Sequence, residues 1–288
     1  MRVLEPHHLR RPSPKHKQLP FRKRLKLTGF AVVALACGYL LLGQGVDRAS
    51  RSERGGGQSE VTVASQPKVL KQFTAEQFKA AYSSYIYPNT QLITAPPEIT
   101  GNEAADARIR GVAVAQGYKL TALPVASIVK TNEPGLEGDD LIQPNALIAW
   151  QALKAEAANE GVNLRLTSAY RSIAYQRSLF LRRMQAAGVN VGRVLEGYAD
   201  DELEAVLSRA ALPGYSRHHT GYTIDLSCDG IGLEAFISTS CYKWLSNNNF
   251  EKVKKHGWVP SYPEGVGGLG PEPESWEYVW VGKNSTYE

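Results

Sequence analysis

The run Ser216-Arg217-His218-His219-Thr220-Gly221-Tyr222-Thr223-Ile224-Asp225 places an imidazole and a carboxylate on either side of a glycine. Tyr222, Ile224 and Leu226 alternate with Thr223 and Asp225, which is the two-face pattern of a strand. Gly221 breaks the chain just before that strand, so a loop histidine and a strand carboxylate can converge on one ion. Imidazole nitrogen and carboxylate oxygen are ligands that suit Zn²⁺. A lone histidine is ordinarily a solvated surface group. Here only His218, His219 and His256 follow the first 26 residues, and two of the three are adjacent. His219 should point away from an ion held by His218, because neighbouring side chains diverge.

This run resembles the Ser-x-His-x-x-Gly-x-x-x-Asp signature of the zinc D-alanyl-D-alanine carboxypeptidases of the VanY type, cell-wall peptidases related to hedgehog domains. Ser168-Ala169-Tyr170-Arg171-Ser172-Ile173-Ala174-Tyr175-Gln176 is similar to a second motif of that family. Trp244-Leu245 followed by His256-Gly257-Trp258 and Tyr262-Pro263 is similar to a third. The likeness covers about residues 142–282, with the motifs in family order. It implies that His218 and Asp225 hold zinc and that Arg171 grips the free carboxylate of a peptide, since guanidinium offers a planar fork of donors. It further implies that Gln176, Ser216 and Tyr170 contact the substrate. Glu274 would be the general base that takes a proton from the attacking water. Glu272 competes for that role but does not fit the Glu-x-Trp pattern.

At the third ligand position the family has a histidine, and this chain has Glu277. Trp276, Tyr278 and Trp280 form one aromatic face of the last strand, and Glu277 shares the other with Val279 and Val281. A carboxylate on an apolar face is costly to bury unless it is paired or coordinated. A metal would supply that compensation, so a His218/Asp225/Glu277 site is expected over an empty one. Two carboxylates would neutralise the dication and weaken it as a Lewis acid.

Around these residues the pattern is that of mixed helices and strands. Thr74 with Gln77 has the form of a capping box. Ala146, Ala149, Leu153 and Ala157 recur at helical spacing over about 144–160, ending at Gly161. Residues 162–168 alternate as a strand. Further helices are expected over 173–187, 200–210 and 244–256, and further strands at Val259 and 276–282. Residues 97–140 read as loops and short strands. There is no βαβ rhythm, so the expected class is α+β: a small antiparallel sheet flanked by helices. Residues 265–270 formally match Gly-x-Gly-x-x-Gly but lack the flanking strand and helix of a nucleotide site, and read as a loop beside the active site.

The net charge of +5 comes from 33 Lys/Arg against 28 Asp/Glu. Residues 1–26 hold nine of those bases and one acid, Glu5, so the remainder carries 24 bases and 27 acids, a net of −3. Basicity confined to a tail argues against a nucleic-acid partner. Residues 27–46 are uncharged, which is about the 20 residues a bilayer core requires, and the basic tail would stay cytoplasmic. This segment reads as a single retained transmembrane anchor; a cleaved signal peptide usually has a shorter core, and Cys37 sits in a poor lipidation context. The remaining organisation is a flexible spacer at 47–69 and a peptidase-like domain at 70–288, outside the cytoplasm. Cys228 and Cys241 read either as a disulfide of an oxidising compartment or as two unrelated buried residues.

The expected activity is therefore zinc-dependent removal of a C-terminal D-amino acid from peptidoglycan stem peptides at the inner membrane. A catalytically silent wall-peptide binder and a cross-link endopeptidase are the rivals. An Arg171 clamp, which favours a free carboxylate, argues against the endopeptidase.

Overall fold

The computed structural model describes residues 68–267, 270 and 272–288. The basic tail, the expected span at 27–46 and nearly all of the spacer lie outside these residues, as do positions 268, 269 and 271 of the glycine-rich loop and its flank. Among the described residues no helix is long and apolar enough to cross a membrane.

The elements run α1 (Ala75–Ser83), β1 (Thr90–Leu92), α2 (Glu103–Ala115), β2 (Ala122–Pro124), β3 (Val129–Lys130), β4 (Leu141–Ile142), α3 (Pro144–Asn159), β5 (Leu164–Ser168), α4 (Ile173–Ala186), α5 (Val191–Glu196), α6 (Asp200–Leu207), β6 (Thr223–Cys228), α7 (Ser240–Lys255), β7 (Trp258–Pro260), β8 (Glu277–Trp280) and α8 (Lys283–Thr286). Two 3-10 turns, Arg217–Thr220 and Leu233–Ser238, flank β6. The principal sheet is four-stranded and antiparallel in the order β5-β6-β8-β7. Two small antiparallel pairs, β1 with β2 and β3 with β4, form separate two-stranded sheets.

Alternation along the strands sends the two sides of the sheet to different cores. Tyr222, Ile224, Leu226, Tyr278 and Trp258 join Trp150 and Leu153 of α3 in one buried cluster, with Trp276 and Trp280 packed on it. Val259, Val279 and Val281 face Phe78 and Tyr82 of α1 instead. Glu277 and Asp225, at alternate positions to Tyr278 and Ile224, therefore belong with the α1 side. Thr74 and Gln77 form the capping box that starts α1.

Three local expectations differ from the structure. Residues 97–140 are not merely loops and strands, because α2 occupies Glu103–Ala115. It is capped by Asn102, whose side chain accepts from the Ala105 N–H at 2.9 Å. Its core-facing positions Ala105, Ile109 and Ala113 are mostly small, so hydrophobic periodicity barely marks it. Packing against Phe180, Leu203 and Leu207 in a second core makes it a helix. The helix expected over 244–256 starts earlier, at Ser240, where the Thr239 side chain caps the Tyr242 N–H. It is also interrupted, with Asn248, Asn249 and Phe250 in left-handed conformations (φ 48°, 57° and 60°). Asparagine tolerates that region better than most residues. Asn249 uses the break to bond both the N–H and the carbonyl of Phe73, at 2.9 and 2.8 Å, which ties the N-terminal segment onto α7. Finally, α5 (Val191–Glu196) has no counterpart in the sequence reading.

Cys228, at the end of β6, and Cys241, in the first turn of α7, are joined by a disulfide with a Cα–Cα distance of 5.8 Å. The two cysteines are thus a bonded pair rather than two unrelated buried residues.

Candidate functional site

The 3-10 turn Arg217–Thr220 and strand β6 meet at Gly221, which takes a left-handed conformation (φ 74°). A β-carbon there would lie 3.1 Å from Gln143 Cγ, so both the backbone angle and the space favour glycine. The tight reversal brings His218 over Asp225. Across the sheet Asp225 pairs directly with Glu277 in the β6–β8 ladder. One ligand atom from each of His218, Asp225 and Glu277 lies within 4.8 Å of the other two, and all three residues are buried. His218 Nε2 stands 3.3 Å from Asp225 Oδ1 and 3.2 Å from Glu277 Oε2.

The hydrogen bonding around this cluster leaves ligand atoms free. His218 Nδ1 faces the Ala169 carbonyl at 2.5 Å; as a donor there, it leaves Nε2 as the ring's open position. His218 Nε2 and Asp225 Oδ1 are buried and have no hydrogen-bond partner. Buried polar atoms without partners are expensive, and three acceptor atoms turned toward one point need either a shared proton or a cation. A neutral imidazole nitrogen and two carboxylate oxygens are a donor set that suits zinc. The residues present therefore fit the metal expected from the sequence.

The electrostatics follow from burial and close pairing. Burial and Arg171 depress the His218 pKa, but contacts with Asp225 and Glu277 outweigh them and hold it above the ordinary imidazole range. Burial alone would raise the Glu277 carboxyl, yet His218 and Arg217 beside it hold it well below the usual carboxylate range. Burial and the neighbouring charges of Glu277 and Asp225 push Glu274 well above that range. The two neighbouring carboxylates are thus driven apart, Glu274 toward the protonated form and Glu277 toward the charged one.

Two arginines flank the cluster. Arg171 donates from Nε to Ser168 Oγ at 2.9 Å and from Nη2 to Asp225 Oδ2. Arg217 donates from Nη1 to Glu277 Oε1 at 3.2 Å. Its guanidinium lies over two aromatic rings, 4.9 Å from the Tyr82 centroid and 4.5 Å from that of Tyr262. His219 points elsewhere, as expected. Its Nε2 accepts the Gly214 N–H at 2.9 Å, and its Nδ1 donates to the Arg171 carbonyl at 2.6 Å. Burial lowers its pKa to about 4, so it is a neutral strut.

Asp225 and Glu277 form part of the wall of a cleft of about 480 Å³, with Glu274, Arg171, Arg217, Ser216 and Gln176, while His218 is buried behind them. Gln176, on α4, donates from Nε2 to the Ala211 carbonyl at 2.7 Å and leaves Oε1 buried without a partner. Glu272 also lines the cleft but is exposed. Tyr170 is not among the lining residues: its N–H bonds the Leu141 carbonyl, and burial, with the nearby Asp139, raises its pKa. Tyr175, in the first turn of α4, lines the cleft in its place. The segment before β4 supplies a wall that sequence reasoning left without a role. It includes Tyr82, Tyr85, Tyr87, Tyr118 and Lys119. Arg217 also went unassigned, and no local signal marks it, because its carboxylate partner is 60 positions away.

Comparison with known proteins identifies the family. The family model for VanY, D-alanyl-D-alanine carboxypeptidase, matches residues 139–283, half of the chain. The chain belongs to the VanY family. Among curated VanY-like relatives, YodJ of Bacillus subtilis, which bears a carboxypeptidase name, is 30% identical over 148 residues, covering 50% of this chain and 48% of YodJ. The D-alanyl-D-alanine carboxypeptidase of Enterococcus faecalis is 26% identical over 136 residues, covering 46% of this chain and 45% of that protein. The chain thus spans about half the length of the curated relatives it matches. Among solved structures, the LD-carboxypeptidase LdcB is 28% identical with a TM-score of 0.42, covering 55% of this chain and 67% of that one. VanYB in complex with D-alanine-D-alanine is 22% identical with a TM-score of 0.41, covering 56% and 80%. The VanY match begins at residue 139. The tyrosine wall formed by Tyr82, Tyr85 and Tyr118 therefore comes from outside the matched region.

Proposed function

We propose that the chain is a zinc-dependent carboxypeptidase that removes a C-terminal D-amino acid from peptidoglycan stem peptides. The observation that carries this reading is the convergence of His218 Nε2, Asp225 Oδ1 and Glu277 Oε2, with Asp225, Glu277 and Glu274 lining one cleft. His218, Asp225 and Glu277 would hold the metal, which supplies Lewis-acid polarisation of the scissile carbonyl and activation of water when bound. Glu274 takes a proton from the attacking water as its oxygen adds to the carbonyl carbon. It then returns that proton to the leaving amine as the C–N bond breaks. Its raised pKa suits both transfers. Gln176 Oε1 and Ser216 would hydrogen-bond the peptide. Arg171 lines the same cleft, where the substrate carboxylate would sit, while also holding Asp225.

We also propose that residues 27–46 anchor the protein in the cytoplasmic membrane, that 47–69 form a spacer, and that 70–288 act on the extracytoplasmic side. The basic residues before the span and the Cys228–Cys241 disulfide support this placement.

A second reading is a silent relative that binds wall peptides without turnover. It draws support from Arg171 and Arg217, which already compensate the charges of Asp225 and Glu277. One experiment separates the two: zinc content of the purified chain, with D-alanine release from a peptide ending in D-Ala-D-Ala. One zinc per chain, with release lost on chelation and regained on adding zinc, supports the enzyme. A metal-free chain that still binds the peptide supports the silent relative.

A further inference from the structure

Residue 217 is an unspecified position in the Ser-x-His motif, yet in this chain its side chain is built into the site. Glu277 places Oε1 3.2 Å from Arg217 Nη1 and Oε2 3.2 Å from His218 Nε2. Asp225 repeats the pattern, with Oδ2 on Arg171 and Oδ1 facing His218 Nε2 at 3.3 Å. Each ligand carboxylate therefore gives one oxygen to an arginine and presents the other toward the imidazole.

The guanidinium of Arg217 is held in place by tyrosines from two separate segments. Tyr82 comes from α1 and Tyr262 from the loop after β7, and their rings take its faces at 4.9 and 4.5 Å. Stacking of this kind suits arginine's planar, weakly hydrated head.

A histidine ligand offers a metal one nitrogen, whereas a glutamate offers two oxygens and a negative charge. Resting on the zinc reading above, we propose that Arg217 is a positioning residue that makes Glu277 a workable third ligand. It occupies Oε1, aims Oε2 at the metal and offsets the charge that a second carboxylate brings. Outer partners of metal ligands act in this way generally, by fixing orientation and tuning basicity.

The test is a double-mutant cycle on the full chain, read as zinc affinity by competition with a chelator. The variants are Arg217→Ala, Glu277→His and the pair together, each checked for folding by circular dichroism and thermal unfolding. Arg217→Ala should weaken zinc binding ten- to a hundred-fold where residue 277 is Glu. It should leave affinity unchanged in the Glu277→His chain, which has no carboxylate oxygen for the guanidinium to take. Arg217→Lys keeps the charge without the planar fork and gives the same comparison if the alanine variant does not fold. Equal losses in both backgrounds would make Arg217 a framework residue and overturn the proposal. Unchanged or tighter binding in the Glu277 chain overturns it too, since the arginine would then oppose the metal. A native chain that binds no zinc overturns the metallopeptidase reading and the positioning role together. Zinc binding without coupling between residues 217 and 277 overturns the positioning role alone.

Discussion

Asp225 and Glu277 stand directly opposite each other in the β6–β8 ladder, and His218 closes the third corner between their oxygens. Like charges directly across a ladder repel. Their persistence here is explained by what surrounds them: an arginine on each, and an imidazole whose open nitrogen faces both.

In that arrangement zinc would compete with a proton. The His218 pKa is raised, so below it the imidazole carries a proton on the nitrogen a metal needs. Zinc affinity should rise with pH through the neutral range, with proton release on binding. Titration calorimetry in buffers of different ionisation enthalpy measures the released proton. Affinity independent of pH would show that His218 is not a ligand.

Glu274→Gln keeps the shape of the side chain and removes the base. Turnover of a D-Ala-D-Ala peptide should fall roughly 10²–10⁴-fold, while zinc content stays that of the native chain. Steady-state kinetics beside metal analysis checks both. Loss of zinc together with activity would place Glu274 among the ligands instead.

His219 is buried as a neutral strut with its pKa lowered to about 4 from an ordinary 6.5. The unfolded chain then binds the extra proton, so folding stability falls as pH drops from about 6.5 to 4. The loss reaches about 3 kcal/mol if this group acts alone. Denaturant unfolding across that range should show the slope, and His219→Gln should flatten it while lowering stability at pH 7. A slope unchanged in the variant would assign the acid sensitivity elsewhere.

The Cys228–Cys241 bridge closes a loop of 13 positions between β6 and α7, two elements that support the site. In the chain-entropy picture such a bridge contributes about 3 kcal/mol. Cys228→Ser with Cys241→Ser, or reduction, should lower the unfolding midpoint in denaturant by a matching amount. Identical midpoints with and without reductant would show that the bridge contributes nothing.

What was legible in the sequence was what is encoded over short spans. Alternation put Asp225 opposite in facing to Ile224 within one strand, and Glu277 opposite to Tyr278 within another. A cap marked α1 and a glycine marked the end of α3, and the spacing of His218, Gly221 and Asp225 marked the candidate metal pair. These follow from backbone periodicity and from hydrogen bonds made within a few residues. Where the local pattern was weak, as in α2 with its small core-facing residues, only packing against α5 and α6 made the element. The register that sets Asp225 against Glu277, the arginine on each, and the tyrosine wall of Tyr82, Tyr85 and Tyr118 depend on residues tens of positions apart, and the disulfide on two residues in different elements. Side-chain pairing at that distance is decided by how the sheet and helices close on one another, and tertiary structure alone could supply it.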